Sequence, residues 1–236
     1  MAALPRLADE WASAAAPAHA PRIESPPVAA TPLAILGSYV FAEEIADLVE
    51  QIDGYELVAF VENWDRERVG RTISGRPVIW VDELAEHAGE WSAVCAISSP
   101  ERRAYVDHVA GLGVEFATLI HPHAVLAPSA RIGAGSIVGA GAVLGAQTVF
   151  GDHVIINRGV LVGHHTRVGN CVTLSPGVNL AGCAEIGDGT FVAIGATVID
   201  RRTVGAGALI AAGAVVVRDV PEGARVQGVP ARAFER

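Results

Sequence analysis

His164 and Gly182 are 18 residues apart, three times the period of a six-residue pattern in this part of the chain. If three six-residue segments make one coil, the two residues lie one above the other, about 4.8 Å apart. An imidazole in this position could remove a proton from an attacking amine or hydroxyl. A neighbouring backbone N–H could hold the oxyanion of a tetrahedral intermediate. The pair therefore has the groups needed for acyl transfer. The alternative interpretation is that His164 is a solvated surface histidine without a catalytic role.

The six-residue pattern is carried by one large apolar residue per segment, at 17 of 17 positions. Its members are Ile120, Leu126, Ile132, Val138, Leu144, Phe150, Ile156, Val162, Val168, Leu174, Leu180, Ile186, Val192, Val198, Val204, Ile210 and Val216. Glycine follows the apolar residue directly in eight segments. A period of six fits neither an α-helix nor an alternating strand. It is typical of a hexapeptide β-helix.

We expect each segment to form one face of a triangular prism, and three segments to form one coil. The apolar residue points inwards, and small residues occupy the tight corners, where Gly or Asn tolerates unusual backbone angles. Coils stack through parallel strand hydrogen bonds, so each coil contacts only its neighbours. The repeats span almost six coils, which predicts a prism about 27 Å tall. The pattern resembles the left-handed version of this fold, a known exception to right-handed crossovers.

The first half of the chain is organised differently. Residues 1–32 are rich in Ala and Pro and are predicted to be a flexible tail. Residues 33–118 alternate strands and helices, which predicts a small α/β domain of Rossmann type. The β-helix follows at 119–220, and a C-terminal segment, 221–236, leaves the repeat. The predicted strands are Leu33–Leu36, Leu57–Val61, Val78–Val81, Ala93–Ile97 and Phe116–Leu119, with helices at Phe41–Val49, Glu83–His87 and Pro100–Gly111.

The composition excludes several classes of function. The 236 residues include 17 basic and 26 acidic ones, and the net charge of −9 argues against nucleic acid or an anionic membrane as a partner. The chain contains no lysine, which excludes a phosphate-binding P-loop and a Schiff-base lysine. Its three cysteines lack metal-site spacing, so we expect neither a zinc site nor a disulfide framework. With no membrane-length apolar run and no secretory signal, we expect a cytoplasmic protein.

A set of motifs resembles the bacterial sugar O-acyltransferases. The motifs are Ile120-His121-Pro122, Ile156-Asn157, Val162-Gly163-His164, the run from Leu174 to Gly182 (LSPGVNLAG), Gly213-Ala214-Val215-Val216 and Gly228-Val229-Pro230-Ala231. The matching subgroup includes sialic acid O-acetyltransferases and N-acetyltransferases of UDP-linked 4-amino sugars. The resemblance covers about residues 33–236. It implies a Rossmann-like domain before a left-handed β-helix, acetyl-CoA as co-substrate without a metal, and a homotrimer.

The resemblance also implies roles for individual residues. His164 is the catalytic base, with Gly182 beside it at the oxyanion, and the acetyl-CoA contacts map onto Thr173, Ile194 and Ala212. The spacing agrees with part of this assignment, because Ile194 and Ala212 are 18 residues apart.

The column that contains Ile194 and Ala212 extends in the sequence to Pro176 below and Pro230 above. We expect it to form a ladder suited to an extended pantetheine arm. The ladder and His164 fall on different edges of the prism, about 20 Å apart along one face. A site that needs both edges is made most simply between two protomers.

Two features depart from the family pattern. Family members carry an acidic residue directly after the catalytic histidine, whereas this chain has His165. Three explanations remain for how His164 could act without this acidic residue. A carboxylate from elsewhere in the structure could replace it, a backbone carbonyl could fix the tautomer of His164, or the enzyme could be slow. We expect His165 to be an accessory catalytic residue, and contact with the substrate is its alternative role.

The second departure lies in the N-terminal domain. The family's glycine-rich turn, which lets nucleotide phosphates approach backbone N–H groups, is here Gly37-Ser38-Tyr39-Val40-Phe41-Ala42. The family's paired acids after the second strand are here Glu62 and Asn63. We expect Gly37, Ser38, Tyr39, Glu62 and Asn63 to bind the acceptor.

The predicted function is transfer of an acetyl group from acetyl-CoA to an amino or hydroxyl group of a nucleotide-linked sugar. Two alternatives remain: an acyltransferase with a non-nucleotide acceptor, and a non-catalytic trimeric scaffold. A metal lyase like the γ-class carbonic anhydrases requires a second histidine five residues after the first. Gly169 occupies that position, which argues against a lyase.

Overall fold

The computed structural model describes residues 30–234. Of the predicted tail, residues 1–29 lie outside the described residues, as do the last two residues of the C-terminal segment. Within the described range, no helix has the length and apolar character needed to cross a membrane.

The N-terminal part is a six-stranded sheet with helices packed against it. Its elements are β1 (Thr31–Leu36), α1 (Val40–Val49), β2 (Tyr55–Glu62), a 3-10 helix (Arg66–Arg68), β3 (Thr72–Ile73), β4 (Arg76–Trp80), a second 3-10 helix (Val81–His87), β5 (Ser92–Cys95), α2 (Arg102–Gly111) and β6 (Glu115–Phe116). The strand order is β3-β4-β2-β1-β5-β6, and every pair is parallel except the β3–β4 hairpin. The carboxyl ends of the parallel strands therefore meet at one edge of the sheet.

The local sequence explains this arrangement. Strand β1 is apolar from Leu33 to Leu36 and is fully buried, because helices cover both faces of a parallel sheet. Helix α1 places Ile45, Leu48 and Val49 on the face that packs against the sheet. The structure shows strands at the first four predicted places, with different bounds, and adds β3, which the sequence reasoning missed.

The second part is a prism of stacked coils built from two-residue strands. They are β7 (Leu119–Ile120), β8 (Val125–Leu126), β9 (Arg131–Ile132), β10 (Ile137–Val138), β11 (Val143–Leu144), β12 (Val149–Phe150), β13 (Ile155–Ile156), β14 (Leu161–Val162), β15 (Arg167–Val168), β16 (Thr173–Leu174), β17 (Asn179–Leu180), β18 (Glu185–Ile186), β19 (Phe191–Val192), β20 (Thr197–Val198), β21 (Thr203–Val204), β22 (Leu209–Ile210), β23 (Val215–Val216), β24 (Arg225–Gln227) and β25 (Arg232–Ala233). They form three sheets: β7-β10-β13-β16-β19-β22-β24-β25, β8-β11-β14-β17-β20-β23 and β9-β12-β15-β18-β21. These stacked parallel sheets fit a left-handed β-helix.

The apolar column fills the prism as predicted, except at its lower end. From Val138 to Val216 its members are buried in one core cluster. At the lower end, Leu126 and Ile132 are half-buried and Ile120 is 37% exposed, because the first coil has a neighbouring coil on one side only.

Glycine has two distinct roles at the corners of the prism. Gly177 adopts φ +70, the left-handed conformation that favours glycine. Gly163, which directly follows an apolar column residue, has a different role: a Cβ there would lie 2.5 Å from the backbone nitrogen of Gly182 in the next coil. The glycines after the apolar column are thus explained by close approach of coils rather than by unusual backbone angles.

The top coil is shorter than the others. Along the prism, paired residues are 18 apart, as in Leu161 with Asn179, but Leu209 pairs with Arg225, only 16 residues later. The C-terminal segment therefore leaves the 18-residue repeat but still adds β24 to the prism. The antiparallel strand β25 covers the outer edge of β24.

The two parts pack tightly against each other. The predicted strand Phe116–Leu119 is wrong as one element, because Phe116 ends the N-terminal sheet while Leu119 begins the prism. Leu119 and Ile155 of the prism belong to the same buried cluster as the N-terminal sheet. At this junction Arg102, the first residue of α2, is only 2% exposed.

Candidate active site

His164 lies at the corner that follows β14, and its ring packs under the backbone of Gly182. The register that pairs Leu161 with Asn179 stacks these two corners directly. A Cβ built on Gly182 would lie 2.9 Å from both Cε1 and Nε2 of the His164 ring. His164 is exposed, so this corner is accessible to a ligand. The stacking predicted from the 18-residue spacing is present.

The backbone N–H of Gly182 is free to act as a donor. Its neighbours in the chain, Ala181 and Cys183, donate their N–H groups to Val198 and to His164 at 2.9 and 2.8 Å. Within residues 30–234, no acceptor receives a hydrogen bond from the Gly182 N–H. An imidazole and an unused N–H at one exposed corner are the parts that acyl transfer requires.

His165 is the ring partner of His164. Their Nδ1 atoms lie 3.1 Å apart, and the rings are perpendicular with centroids separated by 5.2 Å. His165 adopts φ +59, and its N–H donates to the carbonyl of Ala146 at 2.8 Å. Among the described side chains, His165 alone forms a hydrogen bond with the His164 ring, and no carboxylate reaches that ring.

A buried polar cluster forms where β1 and β2 end. The Ser38 hydroxyl donates to the Glu62 carboxylate at 2.5 Å and accepts from Arg68 Nε at 2.7 Å. Glu62 is 3% exposed, and its other oxygen accepts from the backbone N–H groups of Asn63, Trp64 and Asp65 at 3.0, 2.8 and 3.2 Å. Burial alone would raise the pKa of Glu62, but these hydrogen bonds outweigh it and hold the pKa below its ordinary value.

A cavity of about 390 Å³ opens beside this cluster, at the carboxyl edge of the N-terminal sheet. Such an edge is the common ligand position in open α/β sheets. Tyr39 is 52% exposed at its rim, and Trp64 is 88% exposed. The lining residues are Gly37, Tyr39, Val40, Phe41, Glu62, Asn63, Trp64, Ala96, Ile97 and Ser98. Four of the five predicted acceptor residues line this one cavity, and Ser38 lies buried behind it.

The predicted ladder on the second edge is present in part. The N–H of Gly195 donates to Pro176 at 3.0 Å, and that of Gly213 donates to Ile194 at 2.9 Å, so Pro176, Ile194 and Ala212 form one column. Ile194 is 56% exposed. The extension to Pro230 is wrong, because the top coil is offset by 16 residues and its backbone around Pro230 pairs with Val215 instead of Ala212. The N–H of Val215 donates to Gly228 at 3.0 Å, and the N–H of Ala231 donates to Val215 at 2.8 Å.

Known structures share this fold. A histidine-to-asparagine variant of perosamine N-acetyltransferase from Caulobacter crescentus, in complex with CoA and GDP-perosamine, is 32% identical, with a TM-score of 0.80 over 86% of this chain and 97% of that chain. The acetyltransferase domain of PglB from Neisseria gonorrhoeae is 34% identical, with a TM-score of 0.80 over 86% and 100% of the two chains. The chain belongs to the bacterial hexapeptide-repeat sugar acetyltransferases.

One further structure supports the acetyltransferase family, and another shows only that the fold is shared. The same PglB domain is also known in complex with acetyl coenzyme A, at 33% identity over 87% of this chain. WeeI from Acinetobacter baumannii shares the fold, at 24% identity and a TM-score of 0.71. No protein-family model and no curated protein matches the chain. The predicted family and class of enzyme, an acyl-CoA-dependent acetyltransferase, are confirmed.

Thr173 of the acetyltransferase lies in a different setting from the other predicted acetyl-CoA residues. It is an outward-facing residue of β16, but the N-terminal domain covers it. Its hydroxyl donates to the carbonyl of Ser98 at 2.7 Å and accepts from Arg102 at 2.8 Å. Because this hydroxyl is buried and fully used, Thr173 is placed at the domain junction rather than on the open edge of Ile194.

The sequence analysis did not identify two arginines at these sites, Arg68 and Arg102. Arg68 bonds the Ser38 hydroxyl and carbonyl and lies 4.2 Å above the Tyr39 ring, so it organises the turn before α1. Arg102 fixes the junction of the acetyltransferase. The Arg-rich stretches that contain them carry no periodic signal. In the sequence, Ser38 is 30 residues from Arg68, and Thr173 is 71 residues from Arg102.

Within residues 30–234, no three His, Cys, Asp or Glu side chains come together in the manner of a metal site.

Proposed function

We propose that this enzyme transfers the acetyl group of acetyl-CoA to the amino group of a nucleotide-linked sugar, with His164 as general base. The observation that carries the proposal is the exposed corner where the His164 ring meets the unused N–H of Gly182. The two similar structures at 32% and 34% identity, whose names describe sugar N-acetylation and an acetyltransferase domain, support it.

The proposed reaction is a direct attack without an acyl-enzyme. The acceptor amine forms a C–N bond to the thioester carbonyl while its proton passes to Nε2 of His164. The N–H of Gly182 holds the tetrahedral oxyanion. The C–S bond then breaks, and the proton held by His164 returns to the departing CoA thiolate, so the enzyme ends in its starting state.

The acceptor is proposed to bind in the cavity beside Glu62, in a Rossmann-like domain that spans residues 33–118. The exposed rings of Tyr39 and Trp64 at its rim suit a nucleotide base. The Glu62 carboxylate already accepts hydrogen bonds from Ser38 and three backbone N–H groups. Its role is therefore to shape the turn, while Asn63 and the aromatic rings are left to contact the acceptor.

Acetyl-CoA is proposed to lie along the Ile194–Ala212 edge of the β-helix at residues 119–220. This edge follows the sheet that contains β19, whereas His164 follows the sheet that contains β14, so the two are different corners of one prism. A complete site then needs the edge of one protomer and the corner of another, which favours a homotrimer. Because the reaction consumes acetyl-CoA, the proposal includes a cytoplasmic location.

The test is thiol release from acetyl-CoA, measured against a panel of GDP-, UDP- and dTDP-linked 4-amino sugars, their hydroxyl counterparts and the free sugars. We expect turnover with one nucleotide-linked amino sugar, and a loss of about 10²–10⁴-fold in kcat for His164→Asn. Near-normal kcat in that variant would reject His164 as base. Turnover with free sugars alone would reject the nucleotide-linked acceptor, and absence of acetyl-CoA binding would favour the scaffold interpretation.

A further inference from the structure

The histidine pair at the corner can carry one shared proton between its two Nδ1 atoms. At 3.1 Å, one ring must donate an N–H and the other must accept it, because a neutral imidazole has one nitrogen of each kind. Two arrangements are possible. If His165 donates, His164 carries its own proton on Nε2 and cannot act as a base there. If His164 donates, its Nε2 is an open acceptor.

The position of the His164 ring shows which of its two nitrogens faces the Gly182 corner. Its Nε2 lies closer to the Gly182 corner than its Nδ1 does, at 2.9 against 3.3 Å from a Cβ at Gly182. The free N–H of Gly182 is at that same corner. A thioester held by this N–H is therefore next to Nε2, while Nδ1 is turned towards His165.

We propose that His165 is the positioning residue of this site: its Nδ1 accepts the Nδ1–H of His164 and thereby fixes the tautomer in which Nε2 of His164 is the base. The inference rests on the proposed function of His164. His165 keeps its own proton on Nε2 throughout and does not touch the reacting atoms. When His164 becomes an imidazolium, its Nδ1–H bond to His165 becomes charge-assisted and stronger.

The backbone at His165 provides matched variants that keep the fold. With φ +59, this position suits Gly, Asn and Asp better than other residues. In Asn and Asp, Oδ1 is the same number of bonds from Cα as Nδ1 is in histidine. His165→Asn and His165→Asp thus replace the acceptor atom in place, whereas His165→Gly removes it without backbone strain.

The experiment measures kcat and both KM values for the three variants by thiol release, with the nucleotide-linked amino sugar that the panel identifies. We expect His165→Gly to lower kcat by tenfold or more, which is part of the 10²–10⁴-fold that a general base contributes. The KM values for acetyl-CoA and acceptor should stay within about twofold of wild type. His165→Asn and His165→Asp should recover most of kcat, because each restores an acceptor. Wild-type kcat in His165→Gly, or failure of both replacements to recover it, would overturn the inference.

A second readout does not depend on turnover. Nitrogen-15 NMR of the imidazoles at pH 8, assigned with His164→Asn, reports which ring nitrogen of His164 carries the proton. We expect Nδ1–H in the wild type and a mixture of tautomers in His165→Gly. An Nε2–H tautomer in the wild type would overturn the inference. Retained activity in His164→Asn would instead reject the proposed function, so the two failures are distinguishable.

Discussion

The His164 ring lies so close beneath Gly182 that a single methyl group at position 182 would come within 2.9 Å of its Nε2. We expect Gly182→Ala to displace the imidazole and to lower kcat at least tenfold, with little change in the melting temperature because both residues lie at a corner open to solvent. Asp200→Ala, one coil higher on the same corner, is the matched control and should stay within about twofold of wild type. Unchanged kcat in Gly182→Ala would contradict the ring position.

The Glu62 cluster makes a prediction about pH and stability. Because hydrogen bonds lower the folded-state pKa of Glu62, its carboxylate stabilises the protein above the unfolded pKa, which is the ordinary value of 4.5. This contribution disappears as the pH falls through the lower folded-state pKa. We expect Glu62→Gln to unfold more easily than wild type at pH 7 and the difference to shrink below about pH 4.5.

Urea unfolding of both proteins between pH 3 and pH 7 measures the Glu62 effect. Glu67→Gln, an exposed carboxyl nearby, should follow the wild-type curve at every pH. A constant difference between Glu62→Gln and wild type across this range would show that the charge of Glu62 is irrelevant to stability.

Arg102 joins the two parts of the protein through buried hydrogen bonds. Its guanidinium donates to the carbonyls of His153 and Val172 at 2.8 and 2.9 Å and to the hydroxyl of Thr173 at 2.8 Å. We expect Arg102→Met to lower the free energy of unfolding by about 2–4 kcal/mol, because buried carbonyls lose their donor. Arg103→Met, which removes an exposed arginine with ion pairs of 3.8 and 3.9 Å, should cost less than about 1 kcal/mol.

Thr173 and Ile194 should respond in opposite ways to substitution. We expect Ile194→Asp to raise the KM for acetyl-CoA by about tenfold, equivalent to about 1.4 kcal/mol of lost binding, without loss of stability. Thr173→Val should instead lower the free energy of unfolding by about 1 kcal/mol and leave that KM unchanged. Ala140→Asp, on the same edge three coils below Ile194, controls for the added charge. A raised KM in Thr173→Val would return Thr173 to the acetyl-CoA site.

The prism could be predicted from sequence because its constraint is local and repeated. Each apolar residue from Val138 to Val216 fills the same environment, so one period fixes the sheets, the stacking of His164 on Gly182 and the Ile194 column. The short top coil also left a signal, since the step from Val216 to Val220 is four residues, followed by six to Val226. Extrapolating the 18-residue spacing past this step led to the wrong place for Pro230.

The junction could not be predicted, because it depends on contacts between distant parts of the chain. Thr173 occupies an outward-facing strand position, which in an isolated prism is open to solvent. Arg102 begins a helix with charged neighbours, and such arginines are usually exposed. Only the packing of the N-terminal domain on the β16 face buries both side chains and pairs them.

Arg102 has a consequence for how this enzyme could be re-engineered. Exchange of the N-terminal domain between relatives, with a cut near residue 118, would test whether this domain selects the acceptor. The cut leaves Arg102 in one module and its acceptors at His153, Val172 and Thr173 in the other. A chimera that lacks an arginine at this place would present buried carbonyls without a donor, so compatibility at this junction is a condition for recombining these domains.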